Sequence, residues 1–441
     1  MSHGGLIFAA PKSGSGKTLI VAGLLRCLRQ RGLRVAAAKC GPDYIDPTFH
    51  ALASGGTCVN LDPWAMRPAT LAGLVHLLED VGEIVLCEGV MGLFDGGGLD
   101  GDAGSTAALT RHTGWPVMLV VDASGQGASV AALVAGFARH DPEVPIAGVI
   151  FNRVGGDRHH ALLNEAIVRH LPEVPVLGAL RAAEKLMLPA RHLGLVPAEE
   201  ADGAAALIGA AAAQIADGVD VERLVTLARP SRHAPARLPA TPLPPLGRHI
   251  AVARDGAFLF AYEATLAGWR AQGASISFFS PLADEPPASD ADAIYLPGGY
   301  PELHAGRLAS ATRFLRGLRA AADMGKAVYG ECGGYMVLGE TLTDAGGAAH
   351  RMAGLLPLAT SFAERRRHLG YRAVRLLSGG ALGDAGARYR GHEFHYASIV
   401  AEGDAEPLFA AADASGTDLG HAGLRRGGVA GSFIHLIDRA D

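Results

Sequence analysis

Two stretches of this 441-residue chain hold side chains whose types and spacing could do chemistry. The first is residues 10–18, Ala-Pro-Lys-Ser-Gly-Ser-Gly-Lys-Thr, set between an apolar run and a helical one. A glycine-rich turn from strand to helix is a device for holding phosphates. Gly14 and Gly16 let backbone N–H groups, that of Ser15 among them, crowd around an anion. The helix N-terminus adds its dipole, Lys17 a point charge and Thr18 a hydroxyl for Mg²⁺. The second is residues 329–335, Tyr-Gly-Glu-Cys-Gly-Gly-Tyr. Small residues around a nucleophile permit a strained strand–turn–helix elbow that presents Cys332 and leaves the Gly333 N–H free as an oxyanion donor. The turn Leu-Pro-Gly-Gly-Tyr-Pro-Glu at 296–302 offers Gly299 as a second donor. A thiol at a helix N-terminus is expected to have a lowered pKa. Its base must come from elsewhere in the chain. His435, in Gly-Ser-Phe-Ile-His, is the first candidate, with His392 and His395 as alternatives.

Acidic residues accompany the phosphate loop. Lys39, Asp43 and Asp46 follow one apolar run, and Glu88 closes another, Ile-Val-Leu-Cys-Glu. Mg²⁺ takes oxygen ligands, usually one or two carboxylates with phosphate and water. Asp122 ends a further run, where an acid also serves as a helix cap or turn former. Asn152 is placed to read an adenine edge. Cys27, Cys40, Cys58 and Cys87 read as small buried hydrophobes. His392 and His395 lack a third ligand at metal-binding spacing, so a structural or substrate-contact role is expected of them.

These residues need elements to position them. Leu6–Ala10, Val35–Lys39, Ile84–Cys87, Val117–Asp122, Ala147–Phe151 and Val176–Leu180 read as buried strands. Helical patterns at Lys17–Arg31, Ala69–Val81 and Ala128–His140 lie between them. Such alternation predicts an α/β fold with a parallel sheet covered on both faces, and ligands at the strands' carboxyl ends. The second half repeats the style, with strands at His249–Ala253, Ser275–Phe279, Ala293–Leu296 and Ala327–Tyr329 and helices at Ala261–Gln272 and Arg307–Asp323. Between the halves, Ala228–Arg248 is dense in proline, which suits neither a helix nor a central strand. The expected organisation is a first domain over 1–228, a linker over 229–247 and a second domain over 248–441.

Composition excludes several classes. Hydrophobic residues at 49% and charged residues at 19% rule out wholesale disorder. A net charge of −5 gives no basic excess for nucleic acid or an anionic membrane. No apolar run reaches the roughly 20 residues that span a bilayer. Five cysteines without a Cys-x-x-Cys pair fit reduced thiols, and no leader precedes the first strand, so a cytoplasmic location is expected.

The phosphate loop departs from the usual pattern at Pro11, but Lys12 stands five residues before Lys17. That feature resembles the deviant P-loop of dethiobiotin synthetase, nitrogenase iron protein and Min/Par ATPases. The cysteine elbow with a distant histidine resembles class I glutamine amidotransferases. Their fusion in this order, with GPDYIDPTFH, EGVMGLFDG, LPGGYPELHA, ECGGYMVLG and GHEFHYAS, resembles the corrin a,c-diamide synthases over essentially the whole chain. The resemblance implies a dethiobiotin-synthetase-like domain and a class I amidotransferase domain. It implies ATP and Mg²⁺ at residues 12–18, and substrate and metal positions at Asp43, Ile45, Asp46 and Glu88. It implies a glutaminase nucleophile at Cys332 with His435 as its partner.

The activity implied is amidation of the a and c acetates of hydrogenobyrinic acid with glutamine as nitrogen donor, through an acyl phosphate and a shielded ammonia route. The same reaction on cobyrinic acid is the alternative, and nickel sirohydrochlorin and cobyric acid synthesis stand further off. A Min/Par-like nucleotide switch is the alternative of another class. Related P-loop proteins imply a homodimer. Class I enzymes usually follow the catalytic histidine with Pro-Glu, whereas Leu436-Ile437-Asp438 follows here, and Asp438 is a poor stand-in by spacing.

Overall fold

A computed structural model describes residues 4–99, 101–182, 190–191, 194–198, 200–232 and 241–440. Contacts divide the chain into two compact units, one from residues 1–64 and 71–238 and the other from 65–70 and 239–441. Among the described residues, no helix is long and apolar enough to cross a membrane.

The first unit is built on seven strands: β1 Gly4–Ala9, β2 Val35–Cys40, β3 Cys58–Leu61, β4 Ile84–Glu88, β5 Val117–Asp122, β6 Ile146–Val154 and β7 Val176–Arg181. Their order is β3-β2-β4-β1-β5-β6-β7, and every pair is parallel. Leu6, Ile7, Phe8, Val85, Leu86, Val120 and Ile150 have no exposure. This is why the central strands read as unbroken apolar runs: both faces are covered by helices. The helix Lys17–Gln30 buries Ile20, Val21, Leu24, Leu25, Cys27 and Leu28, a stripe at helical spacing. The Ala-rich stretch forms the helix Ala204–Gly218. It packs so close that a Cβ on Gly23 would lie 3.1 Å from the Ala211 backbone. Because all strands run the same way, the segments after β1, β2, β4 and β6 emerge along one edge.

The second unit has a ten-stranded sheet. Its parallel half runs Ser275–Phe279, His249–Ala253, Ala293–Leu296, Ala327–Glu331, Val429–Ser432. Its antiparallel half continues through Asp418–Arg426, Glu406–Ala412, His368–Leu376, Arg388–His395 and Ile434–Ala440. Only Phe433 separates Val429–Ser432 from Ile434–Ala440, yet four strands lie between them in the sheet order. At about 4.8 Å per strand a flat sheet would hold them more than 20 Å apart. The sheet must therefore roll over on itself, and the roll returns His435 to the end of the strand that carries Cys332.

Two expectations change in detail. The helix expected over Arg307–Asp323 is two helices, Ala305–Ser310 and Thr312–Asp323. Asp284 Oδ1 accepts from the N–H groups of Arg313 and Phe314 at 2.7 and 2.9 Å, which caps a fresh helix start. The described ends of the proline-rich segment are packed down, each on its own unit. Arg229 pairs with Gly5, and Arg232 N donates to Thr113 O at 2.8 Å. Leu243 and Leu246 are core residues of the second unit, where Trp269 Nε1 donates to Pro244 O at 2.9 Å. Residues 233–240 of the expected linker lie outside the described residues.

Candidate functional site

In the first unit a cavity of about 810 Å³ opens at the carboxyl edge of the sheet. Residues 13–18, Lys39, Asp43, Asp46, Glu88 and Asn152 line it. Gly14 and Gly16 sit at φ 76° and 89°, left-handed values that favour glycine. A Cβ on Gly16 would lie 2.3 Å from Asn152 Nδ2. That amide donates to Ser15 O at 2.8 Å, so its donor braces the loop from behind. Lys12 is exposed and is not among the residues lining this cavity. Lys17 Nζ donates to Met91 O at 2.6 Å, and Met91 itself is held at φ 45°. Burial holds the Lys17 ammonium below its usual pKa.

The acids form one network with the loop. Thr18 Oγ1 donates to Glu88 Oε1 at 2.8 Å. Glu88 Oε2 faces His50 Nε2 at 2.7 Å and Lys39 Nζ at 3.2 Å. Lys39 Nζ donates to Asp46 Oδ2 at 2.6 Å. Asp43 Oδ1 accepts from the N–H groups of Ile45 and Asp46 at 2.7 and 3.1 Å, which fixes the turn into the helix Asp46–Ser54. Ile45 is buried at that helix start. Burial alone would lower Lys39, but Asp46, Glu88 and Asp43 around it more than offset this and raise it well above its ordinary value. Burial and the charge of Asp43 push Asp46 up. Burial would also raise Glu88, but Lys39 and His50 hold it below the carboxylate range. Three acids thus converge on two ammonium groups. Thr18, Asp43 and Glu88 bring oxygen donors of the kind a hard cation takes to one wall of the cavity.

His50 was not singled out from the sequence. The helical i,i+4 spacing from Asp46 to His50 was the available signal, because it puts both on one helix face.

In the second unit, Cys332 sits at φ 48°, ψ −104°, at the start of the helix Gly333–Leu338. The glycines explain how this elbow exists. A Cβ on Gly334 would lie 1.9 Å from Leu296 O. A Cβ on Gly333 would lie 3.0 Å from Gly299 N, so the two expected oxyanion donors are neighbours. A Cβ on Gly298 would lie 2.4 Å from His435 Cε1, 3.3 Å from His435 Nε2 and 3.4 Å from Cys332 Cβ. Thiol and imidazole therefore flank the same point. Of the three histidines weighed as base, His435 is the one at that point.

His392 pairs with His435 across the strands. His395 is engaged with Ala397 O at 3.0 Å and Glu393 Oε1 at 2.9 Å. Strand pairing stacks His368 on His395, a third histidine that sequence spacing did not reveal. Arg372 Nε donates to Glu393 Oε2 at 2.7 Å, so this carboxylate is already balanced.

The expected lowering of the thiol pKa is corrected. Burial raises Cys332, and the charges of Glu302, Glu393 and Glu331 add to it. A six-residue helix does not offset that. His435 is pushed down to about 3 by burial and by His392 and His395. At rest the pair is a neutral thiol beside a neutral imidazole. Asp438 does not orient His435. It is buried and bound to Arg67 of the 65–70 segment, a part of this same unit, at 2.8 Å. His435 Nδ1 instead lies 3.8 Å from Glu331 Oε2.

Residues 6–196 match the CobQ/CobB/MinD/ParA nucleotide binding domain, and residues 249–441 match the CobB/CobQ-like glutamine amidotransferase domain. The chain is 53% identical over 438 residues to a hydrogenobyrinate a,c-diamide synthase of Rhizobium meliloti (strain 1021), covering 98% of this chain and 99% of that one. It is 55% identical over 436 residues to the protein of that name from Brucella suis biovar 1 (strain 1330), with 98% of each covered. It is 49% identical over 441 residues to that of Mesorhizobium japonicum, with all of each covered.

A methyl group at Gly298 must displace the His435 ring. Gly298→Ala should therefore slow glutamine hydrolysis about 10²-fold, the usual cost of misplacing a catalytic group by about 1 Å. Steady-state glutaminase assays check this, and a rate within twofold of the parent would contradict the placement of His435 at the thiol.

Proposed function

The chain belongs to the hydrogenobyrinate a,c-diamide synthases, and from that premise we propose that it converts the a and c acetate groups of hydrogenobyrinic acid to acetamides, using ATP and glutamine. The observation that carries this reading is that the similarity runs through both halves of the chain, so both half-reactions have a home. It also sets aside a nucleotide switch that performs no synthesis. The same reaction on cobyrinic acid is the alternative the assay must separate.

A carboxylate is a poor acyl donor, because its carbon is weakly electrophilic and has no good leaving group, so it needs activation. In residues 1–228 the loop N–H groups and Lys17 hold the nucleotide phosphates, and Asn152 keeps the loop in shape. Asp43, Asp46 and Glu88 form the wall where a substrate acetate meets the γ-phosphate, and Ile45, buried and not lining the cavity, supports the turn between the two aspartates. The hard-oxygen set of Thr18, Asp43 and Glu88 fits Mg²⁺, which when bound neutralises charge on phosphate oxygens. A carboxylate oxygen attacks the γ-phosphorus and ADP leaves, giving an acyl phosphate. Lys17 balances charge on the transferring group.

In residues 248–441 the Cys332 thiol gives its proton to His435 and attacks the glutamine carboxamide carbon. The N–H groups of Gly299 and Gly333 hold the oxyanion. The His435 imidazolium returns the proton to the leaving nitrogen, releasing ammonia and a glutamyl thioester. Water hydrolyses the thioester with His435 as base. Ammonia attacks the acyl phosphate carbonyl, loses a proton and displaces phosphate. Burial keeps the His435 ring neutral across the neutral range, the form that can take the thiol proton.

Incubation with ATP, Mg²⁺ and glutamine should change hydrogenobyrinic acid by two successive losses of about 1 Da, as each OH becomes NH₂, with cobyrinic acid a poorer substrate. Cys332→Ala should fail with glutamine and still work with ammonium. An unchanged corrinoid mass alongside continuing glutamine hydrolysis would contradict the acceptor. A homodimer belongs to the same reading, and light scattering that returned only a 45.4 kDa species would count against it.

A further inference from the structure

Most class I amidotransferases place the acid that orients the catalytic histidine two residues after it, and this chain has Ile437 there. Asp438 and Glu393 are each in an ion pair with an arginine, Arg67 and Arg372 respectively. Glu331 differs. It immediately precedes the nucleophile and is buried, and its Oε2 lies 3.8 Å from His435 Nδ1. The ring is turned the right way for this contact. His435 Cε1 and Nε2 lie 2.4 and 3.3 Å from the position of a Gly298 Cβ and Cys332 Cβ lies 3.4 Å from it, so Nε2 is the ring nitrogen nearer the cysteine side.

The carboxylate is also held rigidly. Oε1 accepts from Leu436 N at 3.0 Å, the residue after His435, and Oε2 accepts from Tyr295 Oη at 2.7 Å. Cys332 N donates to Ser432 O at 2.8 Å, three residues before His435. Glu331 is thus tied by backbone to both reacting residues.

We infer that Glu331 is the positioning residue for His435, completing a triad whose acid stands before the nucleophile instead of after the histidine. At 3.8 Å the contact is longer than a hydrogen bond. Such contacts commonly tighten only when substrate is bound. An anion behind Nδ1 selects the Nδ1–H tautomer, leaves Nε2 as acceptor for the thiol proton and stabilises the imidazolium that follows. The inference rests on the glutaminase reading above.

The pH dependence separates this role from a structural one. The groups facing Glu331 are Tyr295, Tyr329 and His435, with Cys332 beside it. Burial pushes the Glu331 carboxyl up to about 7, against the donors that hold it down. His435 stays neutral down to about 3, so its own protonation does not produce a limb near neutrality. Glutaminase kcat should fall as pH drops through about 7, because protonated Glu331 no longer supplies the anion.

The test is glutamine hydrolysis from pH 5.5 to 9 in the full-length enzyme and in Glu331→Gln, with ammonium-driven amidation measured alongside. Glu331→Gln should lower kcat for glutamine roughly 10²-fold with KM within about threefold, and should lose the acid limb near pH 7. Ammonium-driven amidation should hold. Tyr295→Phe keeps the carboxyl and frees one oxygen, and should lower glutaminase kcat about fivefold at constant KM. A glutamine kcat within threefold of wild type would overturn the inference. So would a wild-type limb that persists in the variant, or glutamine- and ammonium-driven rates falling together. If the wild-type enzyme amidates no corrinoid with ammonium, the synthase reading fails instead. The glutaminase comparison still decides the role of Glu331.

Discussion

Glu88 is a carboxylate with almost no exposure that holds Thr18, His50 and Lys39 at once. A buried charge is tolerated only when it is paired and hydrogen-bonded, so each partner is held where this acid needs it. Thr18 is in the first turn of the helix after the phosphate loop, Lys39 is the last residue but one of β2, and His50 lies on the helix that follows it. One side chain therefore fixes three segments against one another, and with them the shape of the cavity. Removing it would take away one of the acids that balance buried Lys39 and the side-chain partner of Thr18. The same arrangement gathers oxygen donors and the Lys17 and Lys39 ammonium groups around one cavity.

The second unit solves a different problem by different means. Its reacting groups come from the middle and the end of its sequence, and a rolled sheet brings them together. Glycine at 298, 333 and 334 removes the atoms that would block the approach. The cost is a strained nucleophile, Cys332, at a positive φ. Burial leaves both thiol and imidazole neutral. In the proposed reaction thiolate forms by proton transfer within the site, not by ionisation into solvent, which makes the orientation of the imidazole the quantity that matters.

The sequence disclosed the parallel strands well, because strands covered on both faces are continuous apolar runs such as Leu6–Ala9 and Ile84–Cys87. It disclosed the phosphate loop and the cysteine elbow because glycine at those positions answers to local geometry. It did not disclose β3, whose four residues Cys58–Leu61 show no period, or the antiparallel half of the rolled sheet. There strands such as His368–Leu376 and Asp418–Arg426 are half-exposed and rich in charge. The contact of Glu331 with His435 spans 104 positions and depends on the roll, a property of the whole sheet. The thiol was misjudged because a helix start is visible in a sequence, whereas complete burial among three acids is not.

Amidation by the proposed route requires a carboxylate activated by phosphoryl transfer before nitrogen arrives. The most direct measurement is the fate of oxygen in a corrinoid whose acetate carboxylates carry ¹⁸O. During glutamine-driven turnover, the phosphate released should carry one ¹⁸O for every amide formed, read by mass spectrometry or ³¹P resonance. Phosphate that forms in step with the amide yet contains no ¹⁸O would contradict an acyl phosphate, and with it the role assigned to the cavity around Glu88.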